Sequence, residues 1–515
     1  MPTTILQPGR NCQEFIEAGT SGVLIDGRDY YRAFYREACR AESYILISGW
    51  QFDSEVALLR GPDRKAACGE IKFLDFLNQL CGANKDLRIY ILAWNFSIIF
   101  TLEREWVQEW VFNWSTNERL LFRFDDRHPV GASQHQKFTV IDGRAAFLGG
   151  MDICAGRWDD RTHLAKNPER TNPDGRAYDP YHDVQAYFTG PVAVHLSGIF
   201  KERWRDLTGT EIELKPPAKK NHAPPAPSAM ADAGGIPIDA RRLSLSRTLG
   251  QTFVAMQDPV KEIRQLYIDA ISAAESLIYI ENQYLSSYAV FRSLKQRMEA
   301  KGRPRIEVVI MLPKKPQAFV EEVSVGVTQT HILNTLRKAA RKNEHSLGVY
   351  YSAAVDESGR EVPVYIHSKL LMVDDRFMTI GSANTTNRSL GLDSELNASF
   401  EASGDRALIE SIRNVRAELL SEFCGTEKSG RLYGTEGLVG YLDALAGSNE
   451  HRIRFHEPNA VFENSDLIKA LDEAVFDPER AVIEENVFEM VSPDIRALFA
   501  EGITALKKWI AGKEG

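Results

Sequence analysis

Hydrophobic residues along the chain fall into short runs that alternate with longer segments of helical periodicity. In the first part of the chain, runs rich in Ile, Val and Leu predict strands at residues 41–47, 87–94, 120–125, 137–142, 145–149 and 183–188. The same series recurs at residues 274–280, 305–312, 347–352, 369–374, 377–381 and 395–400. Helical patterns occur at residues 29–40, 103–114, 259–274 and 327–341. This alternation predicts an α/β fold of mixed or parallel sheets with helices on both faces.

A short polar motif is written once in each series. Its first copy is His135, Lys137 and Asp142, and its second copy, 232 positions later at every residue, is His367, Lys369 and Asp374. A turn of small residues follows each copy at the same distance, as Gly149-Gly150-Met151-Asp152 and Gly381-Ser382-Ala383-Asn384. The chain therefore predicts two similar halves, at residues 1–214 and 238–425, joined by a Pro/Ala-rich linker at 215–237 and followed by a C-terminal appendage at 426–515.

The duplicated motif supplies what the cleavage of a phosphodiester needs. Histidine titrates near neutral pH, so one copy can attack phosphorus, forming a covalent phosphohistidine, while the other protonates the leaving oxygen. Lys137 and Lys369 each follow their histidine by two positions, which places both side chains on one face of a strand. The predicted catalytic set is therefore His135, Lys137, Asp142, His367, Lys369 and Asp374. For the two aspartates, which lie near the strand ends, a structural role in the turn is an equal alternative.

Further polar residues can complete the site. Ser382 and Asn384 are expected to donate hydrogen bonds to the substrate phosphate. Asp183 and Glu395, which occupy equivalent places in the repeats, are expected to orient the histidines. Asp152 stands where the second copy has Asn384, and because a carboxylate would repel phosphate we expect it to face Arg157 or backbone amides.

Together these motifs resemble the phospholipase D superfamily. The resemblance rests on the repeated His-x-Lys-x4-Asp and on Tyr181-His182-Asp183-Val184, Ile280-Glu281-Asn282-Gln283-Tyr284 and Asp393-Ser394-Glu395, and it covers about residues 29–423. It implies two tandem α/β/α sandwich halves, related by a pseudo-two-fold axis and sharing one active site. It also implies a ping-pong reaction without metal or cofactor. His135 is assigned as nucleophile and His367 as general acid, although the symmetry of the sequence leaves the reverse order open.

The resulting functional hypothesis is a phospholipase D that converts glycerophospholipids such as phosphatidylcholine into phosphatidic acid and the headgroup alcohol, with headgroup exchange as a side activity. The alternatives are a phosphatidyltransferase of the cardiolipin synthase kind and a phosphodiesterase acting on nucleic acid. The net charge of −9 disfavours a broad nucleic-acid surface. The expected partner is a phospholipid at a membrane surface, approached by a monomer.

Composition adds few constraints. The chain has 515 residues, 43% of them hydrophobic, with no run long enough to span a membrane and no charged and apolar leader typical of a signal peptide. We therefore expect a cytoplasmic or peripheral membrane protein, or one exported by a route that needs no leader. Six scattered cysteines predict reduced thiols.

Three features keep two interpretations each. The first half carries about 20 extra residues within 153–180, which either line the site or only support the fold. His182 is either a structural neighbour of Asp183 or a third catalytic histidine. A stripe of Trp106, Trp110 and Trp114 either packs in the core or contacts lipid.

Overall fold

The computed structural model describes residues 4–94, 116–128, 132–215, 230, 232–250, 258–315 and 319–457. In chain order the strands are β1 (Phe15–Glu17), β2 (Ser21–Ile25), β3 (Tyr44–Gly49), β4 (Arg88–Trp94), β5 (Leu120–Asp125), β6 (Phe138–Ile141), β7 (Ala145–Gly149), β8 (Tyr181–His182), β9 (Val184–Thr189), β10 (Ile236–Ile238), β11 (Arg242–Leu249), β12 (Val260–Lys261), β13 (Leu277–Glu281), β14 (Glu307–Met311), β15 (Ser346–Val355), β16 (Glu361–Pro363), β17 (Tyr365–Ile366), β18 (Leu370–Val373), β19 (Phe377–Gly381), β20 (Glu395–Glu401) and β21 (Ile453–Phe455).

The α-helices are α1 (Asp26–Ala38), α2 (Phe73–Ala83), α3 (Pro191–Thr208), α4 (Glu262–Ala273), α5 (Tyr288–Glu299), α6 (Phe319–Lys342), α7 (Asn387–Gly391), α8 (Arg406–Cys424), α9 (Gly430–Tyr433) and α10 (Leu438–Ser448). A 3-10 helix spans Gly61–Ala66. Among the described residues, no helix combines the length and the apolar character needed to cross a membrane.

Two large sheets repeat one topology. In the first sheet the order is β10-β2-β9-β7-β6-β3-β4-β5, and in the second it is β1-β11-β20-β19-β18-β13-β14-β15-β16. Strands β3, β4 and β5 run parallel to one another, as do β13, β14 and β15. On the other side of β3, the successive neighbours β6, β7 and β9 pair antiparallel, and β18, β19 and β20 do the same beside β13. The predicted fold class, two tandem mixed α/β halves, is confirmed.

The strands that carry the motifs lie at the centre of each sheet. Every residue of β3, β6 and β7 is buried, as is every residue of β13, β18 and β19. Strands covered on both faces select continuous apolar sequence, which explains the uninterrupted hydrophobic runs. The His and Lys of each motif thus lie directly before a fully buried central strand, β6 or β18.

The halves exchange short strands at their edges. β1, from the first part of the chain, pairs with β11 of the second sheet, and β10 pairs with β2 of the first sheet. Near the C-terminal end of the described chain, β21 pairs with β15 and therefore extends the second sheet. The predicted domain boundaries remain a prediction, but these three strand pairings of the described residues cross them, as does the pairing of β8 with β17.

The cysteines depart from expectation at one pair. Cys39 and Cys68 form a disulfide, whereas the scattered cysteines predict reduced thiols. Cys39 directly follows α1, and Cys68 follows the 3-10 helix. The disulfide therefore links two elements through residues that are 29 positions apart in the sequence. Cys12, Cys81, Cys154 and Cys424 are free and buried.

Candidate active site

Backbone pairing between the halves brings the two motifs together. The amide of His135 donates to the carbonyl of Ser394, and the amide of Ser394 donates to the carbonyl of Ser133, both at 2.9 Å. On the other side, the two-residue strands β8 and β17 pair in parallel, and the amide of His367 donates to the carbonyl of His182 at 2.8 Å. Each histidine is therefore placed beside the residue that precedes the orienting carboxylate of the other half.

Each motif histidine bonds a carboxylate from the opposite half. Nδ1 of His135 lies 2.9 and 3.0 Å from the two oxygens of Glu395, and Nδ1 of His367 lies 2.7 Å from Oδ2 of Asp183. Such a pairing fixes the ring orientation and leaves Nε2 for a reacting group. Both carboxylates are fully buried, whereas the two imidazoles keep a narrow exposed edge.

The electrostatic environment favours neutral histidines. Burial, followed by Lys137 and Lys369, lowers the pKa of His135 well below its ordinary value. Burial also lowers the pKa of His367, with Lys369, Arg157 and Lys137 acting in the same direction. Because lysines from both halves act on both histidines, the two motifs form one electrostatic unit. A neutral imidazole is the form that can act as a nucleophile.

The two lysines have different neighbours. Nζ of Lys137 lies 3.2 Å from Oδ2 of Asp152 and faces the ring of Trp50. Nζ of Lys369 donates to the side-chain oxygen of Gln283 at 3.2 Å and to the carbonyl of His367. Burial lowers the pKa of Lys369 to about 7, against the opposing effect of Asp183.

The two expected phosphate ligands, Ser382 and Asn384, differ in their hydrogen-bond partners. Ser382 donates its hydroxyl to Oε2 of Glu395 at 2.5 Å and accepts from the amide of Leu396, so it supports the carboxylate behind His135. Asn384 has a buried Oδ1 without a hydrogen-bond partner among the described residues. The unpartnered atom of Asn384 is an acceptor, so binding of a phosphate oxygen would have to use its Nδ2.

Asp142 and Asp374 occupy structural positions, in contrast to the catalytic role predicted from the motif. Both adopt a positive φ, 53° and 54°, in the turn that follows their strand. The carboxylate of Asp142 accepts the amides of Glu42, Ser43 and Tyr44 at 2.8 Å, and that of Asp374 accepts the amides of Glu275, Ser276 and Leu277 at 2.7 to 2.9 Å. Asp142 therefore anchors the start of β3, and Asp374 anchors the start of β13. The geometry supports the structural alternative for both aspartates.

Asp152 only partly meets its expectation. Oδ1 accepts the amide of Trp50 at 2.9 Å, as expected for a carboxylate turned toward the backbone. Oδ2 pairs with Lys137 and not, by direct bonding, with Arg157. This carboxylate therefore neutralises one of the two motif lysines, and the first half presents less positive charge than its motif suggests.

Aromatic and amide side chains around His367 were not singled out by sequence. The rings of Tyr181 and Tyr365 lie 5.5 and 6.4 Å from that of His367, centroid to centroid. Arg157 donates to the hydroxyl of Tyr181 at 2.8 Å, and Gln283 donates to that of Tyr365. Tyr181 and Gln283 belong to the Tyr-His-Asp and Glu-Asn-Gln segments, which the sequence does mark. An aromatic residue beside a motif, such as Tyr365, is more often part of the hydrophobic core, so its position in the sequence does not indicate a site.

The extra segment of the first half mostly supports the fold. Of its charged residues, Arg157 contributes to the lowered pKa of His367, whereas Arg161 pairs with Glu418 and Glu422 of α8 and Arg170 pairs with Asp159. His182 is completely buried, and its imidazole bonds Glu422 and Glu281, while its carbonyl accepts the amide of His367. The tryptophan stripe lies outside the described residues.

Comparisons with known proteins identify the family of the chain. The family profile described as "Phospholipase D" matches residues 129–317, and the one described as "Cardiolipin synthase, PLD-like domain" matches residues 267–418. Between them they include both motifs. The chain belongs to the phospholipase D superfamily.

Among curated relatives, phospholipase D1 of Saccharomyces cerevisiae is 23% identical over 71% of this chain, and phospholipase D alpha 1 of Oryza sativa subsp. japonica is 23% identical over 72%. The aligned part is only 26% of the yeast protein and 61% of the rice protein. A phosphatidylserine synthase from Haemophilus influenzae Rd KW20 has a similar fold, with a TM-score of 0.51 at 14% identity over 84% of this chain and 95% of its own.

Proposed function

We propose that this protein is a phospholipase D that hydrolyses the distal phosphodiester of glycerophospholipids, such as phosphatidylcholine, to phosphatidic acid and the headgroup alcohol. The observation that carries the proposal is the pair of buried histidines, each bound through Nδ1 to a carboxylate of the opposite half. One site thus contains a nucleophile, an acid and two lysines.

In the first step Nε2 of His135 attacks phosphorus. The bond between phosphorus and the headgroup oxygen breaks, and His367, protonated once the phosphate charge is bound, transfers its proton to that oxygen. Lys137, Lys369 and the amide of Asn384 stabilise the charge on the phosphoryl oxygens. The product of this step is a phosphatidyl group on His135 and a free alcohol.

In the second step water replaces the alcohol. His367, now neutral, removes a proton from the water as its oxygen attacks phosphorus, and the bond between phosphorus and Nε2 of His135 breaks. Another alcohol can take the place of water, which exchanges the headgroup. The one site therefore supports hydrolysis and transphosphatidylation.

A lipid substrate is supported by the relatives, which are named as phospholipases D. The net charge of −9 also disfavours a long polyanionic substrate. A phosphatidyltransferase is the second candidate, because the profile that covers the second motif is described as that of cardiolipin synthase. Both candidates use the same phosphatidyl-histidine and differ only in the acceptor.

Vesicles of defined composition test the proposal. We expect phosphatidylcholine vesicles to yield choline and phosphatidic acid in equal amounts, and added ethanol to divert part of the product to phosphatidylethanol. Phosphatidylglycerol vesicles that yield cardiolipin with little phosphatidic acid would identify the transferase instead. Cleavage of plasmid DNA without release of any lipid headgroup would overturn both candidates.

A further inference from the structure

A second cluster of titratable side chains lies behind His367 and takes no part in the proposed chemistry. It consists of Asp26, His163, His182 and Glu422, all of them fully buried. Asp26 opens α1, the two histidines come from the loop and strand before β9, and Glu422 lies on α8 of the other half. The cluster therefore joins the halves.

The ligand atoms of these residues converge on one point. Nδ1 of His182 lies 3.0 Å from Asp26 and 2.9 Å from Glu422, while Nε2 of His163 lies 3.4 Å from Asp26 and 3.1 Å from Glu422. Ligands at about 2.0–2.1 Å from a tetrahedral zinc ion stand about 3.3 Å from one another. The two distances to Glu422 share its Oε1, whereas the two to Asp26 reach different oxygens, Oδ1 from His182 and Oδ2 from His163. All of them are close to the edge of a metal tetrahedron, and one ligand atom from each residue lies within 4.8 Å of the other three.

Each histidine is also held from behind, as metal-binding histidines are. Nδ1 of His163 bonds Asp159 at 2.9 Å, and Nε2 of His182 bonds Glu281 at 3.2 Å. A carboxylate on the far ring nitrogen fixes the orientation of a histidine ligand and increases its basicity. Asp159 is in turn bound by Arg170, and Glu281 by the hydroxyls of Tyr279 and Ser368.

Asp26 provides an independent indication of a missing ligand. Its Oδ2 is buried and accepts no hydrogen bond from any described residue, although it points toward His163. Its backbone has a φ of 65°, a left-handed conformation that costs energy for a residue with a side chain. A buried carboxylate oxygen without a donor is expensive unless a cation occupies the space in front of it.

The negative charge of the buried carboxylates also favours a bound cation. The carboxylates of Asp26, Asp159, Glu281 and Glu422 outnumber the guanidinium groups that pair with them, those of Arg161 and Arg170, and Arg452 interacts electrostatically with three of them. Either protonated histidines or a divalent cation can balance the remaining negative charge. Two imidazolium rings with centroids 5.8 Å apart would repel each other, whereas a cation binds both rings in their neutral form.

We infer that Asp26, His163, His182 and Glu422 form a tetrahedral binding site for a divalent transition metal, with zinc as the best match. The site has four protein ligands and no open position, which is typical of a structural metal. It is separate from the catalytic histidines and goes beyond the proposed function. It does adjoin the active site, because His182 precedes Asp183, and Glu281 bonds Ser368 next to His367.

Metal content of the full chain tests the inference directly. Protein produced in zinc-supplied minimal medium and passed through a column in EDTA should retain about one zinc per chain, because the site is buried. Protein produced with cobalt should show the intense visible absorption of tetrahedral Co²⁺ with nitrogen and oxygen ligands. Wild-type protein that carries neither metal at near-stoichiometric level would overturn the inference, whichever variants fold.

Variants locate the metal. His163→Gln and Glu422→Gln should each lower the retained zinc at least tenfold. The control is Asp375→Asn, which removes a buried carboxylate that pairs with Arg416, a residue on the same helix as Glu422. This variant loses a buried charge as Glu422→Gln does, but it should keep the metal. His367→Asn should keep it too. Metal retained in His163→Gln and Glu422→Gln but lost in His367→Asn would place the ion in the catalytic site and overturn the assignment.

Discussion

The two halves offer their histidines different support. Behind His367 lies a charged layer, in which Glu281 bonds both Ser368 and His182. At the equivalent positions behind His135 the chain has the uncharged Ser48, Gln136 and Ser394. Charge reaches this layer from outside the repeat positions, because Arg203, paired with Asp125, donates to Ser48 and Gln136. The motifs are nearly identical, but their supports are not. The comparison shows that duplication preserved the reacting groups while the layer beneath them diverged, so the two histidines need not respond alike to the same change.

The largest expected effect comes from the histidines themselves. His135→Ala and His367→Ala should each lower kcat/KM for choline release by about 10⁴-fold. A phosphodiester with 4-nitrophenolate as leaving group needs little protonation, so it should restore much of the activity of His367→Ala and none of that of His135→Ala. His195→Ala, on α3, is the control. Restoration in His135→Ala alone would reverse the two roles.

The carboxylates of the opposite halves come next. Glu395→Gln and Asp183→Asn keep the shape of the side chain but remove the charge that holds each imidazole, so each should lower kcat by about 10²–10⁴-fold. Acid-quenched samples should show less phosphate on His135 in Glu395→Gln than in wild type. A loss smaller than about threefold in either variant would mean that the pairing is not needed for turnover.

The lysines can be compared through the pH profile. Burial lowers the pKa of Lys369 to about 7, so the free enzyme loses this charge as the pH rises through 7. Above that value kcat/KM should fall by about tenfold per pH unit. Lys369→Arg stays charged at every accessible pH, so its profile should stay flat toward alkaline pH, on a lower plateau. Identical alkaline limbs in the two proteins would exclude Lys369 as their cause.

A smaller difference lies in the turns. Ser382 donates to Glu395, whereas the equivalent Gly150 has no side chain and lies so close to Asp183 that a Cβ would meet its oxygen at 2.4 Å. Ser382→Gly should lower kcat by about tenfold, the value of one hydrogen bond to a charged group. Steady-state kinetics on vesicles would measure it. An unchanged kcat would show that Glu395 needs no such donor.

The smallest catalytic effect is expected where the motif itself predicts a large one. Asp142→Asn and Asp374→Asn remove the charge that binds three backbone amides, so each should lower the free energy of unfolding by about 1–3 kcal/mol. Denaturant titration would measure this loss. The kcat of the folded fraction should change by less than about twofold. A large fall in kcat at unchanged stability would return both aspartates to the catalytic set.

Much of the fold could be predicted because hydrophobic runs mark buried central strands. The run at 145–149 coincides with β7, and that at 377–381 with β19. The edge strands β1 and β10 could not be predicted, because each has only three residues and shows no hydrophobic periodicity. The pairing of these strands with the sheet of the other half could therefore not be predicted.

The candidate site could be predicted in its residues but not in its pairings. His135, His367, Asp183 and Glu395 stand out through the repeat, yet which carboxylate faces which histidine depends on contacts between β8 and β17 and between residues 134 and 394. The cluster around Asp26 gave no signal, because its four ligands come from separate segments. For the Asp of each motif the sequence left a structural and a catalytic role equally open, because a repeated polar residue can serve folding as well as chemistry, and the contacts with three backbone amides favour the structural role.

The exchange of carboxylates makes each half incomplete by itself. A single repeat would carry a histidine and a lysine but no partner for Nδ1, and it could complete two such pairs only by associating with a second copy. Joining both copies in one chain removes the dependence on protein concentration. It also allows each copy to acquire residues that a symmetric dimer would be forced to present twice.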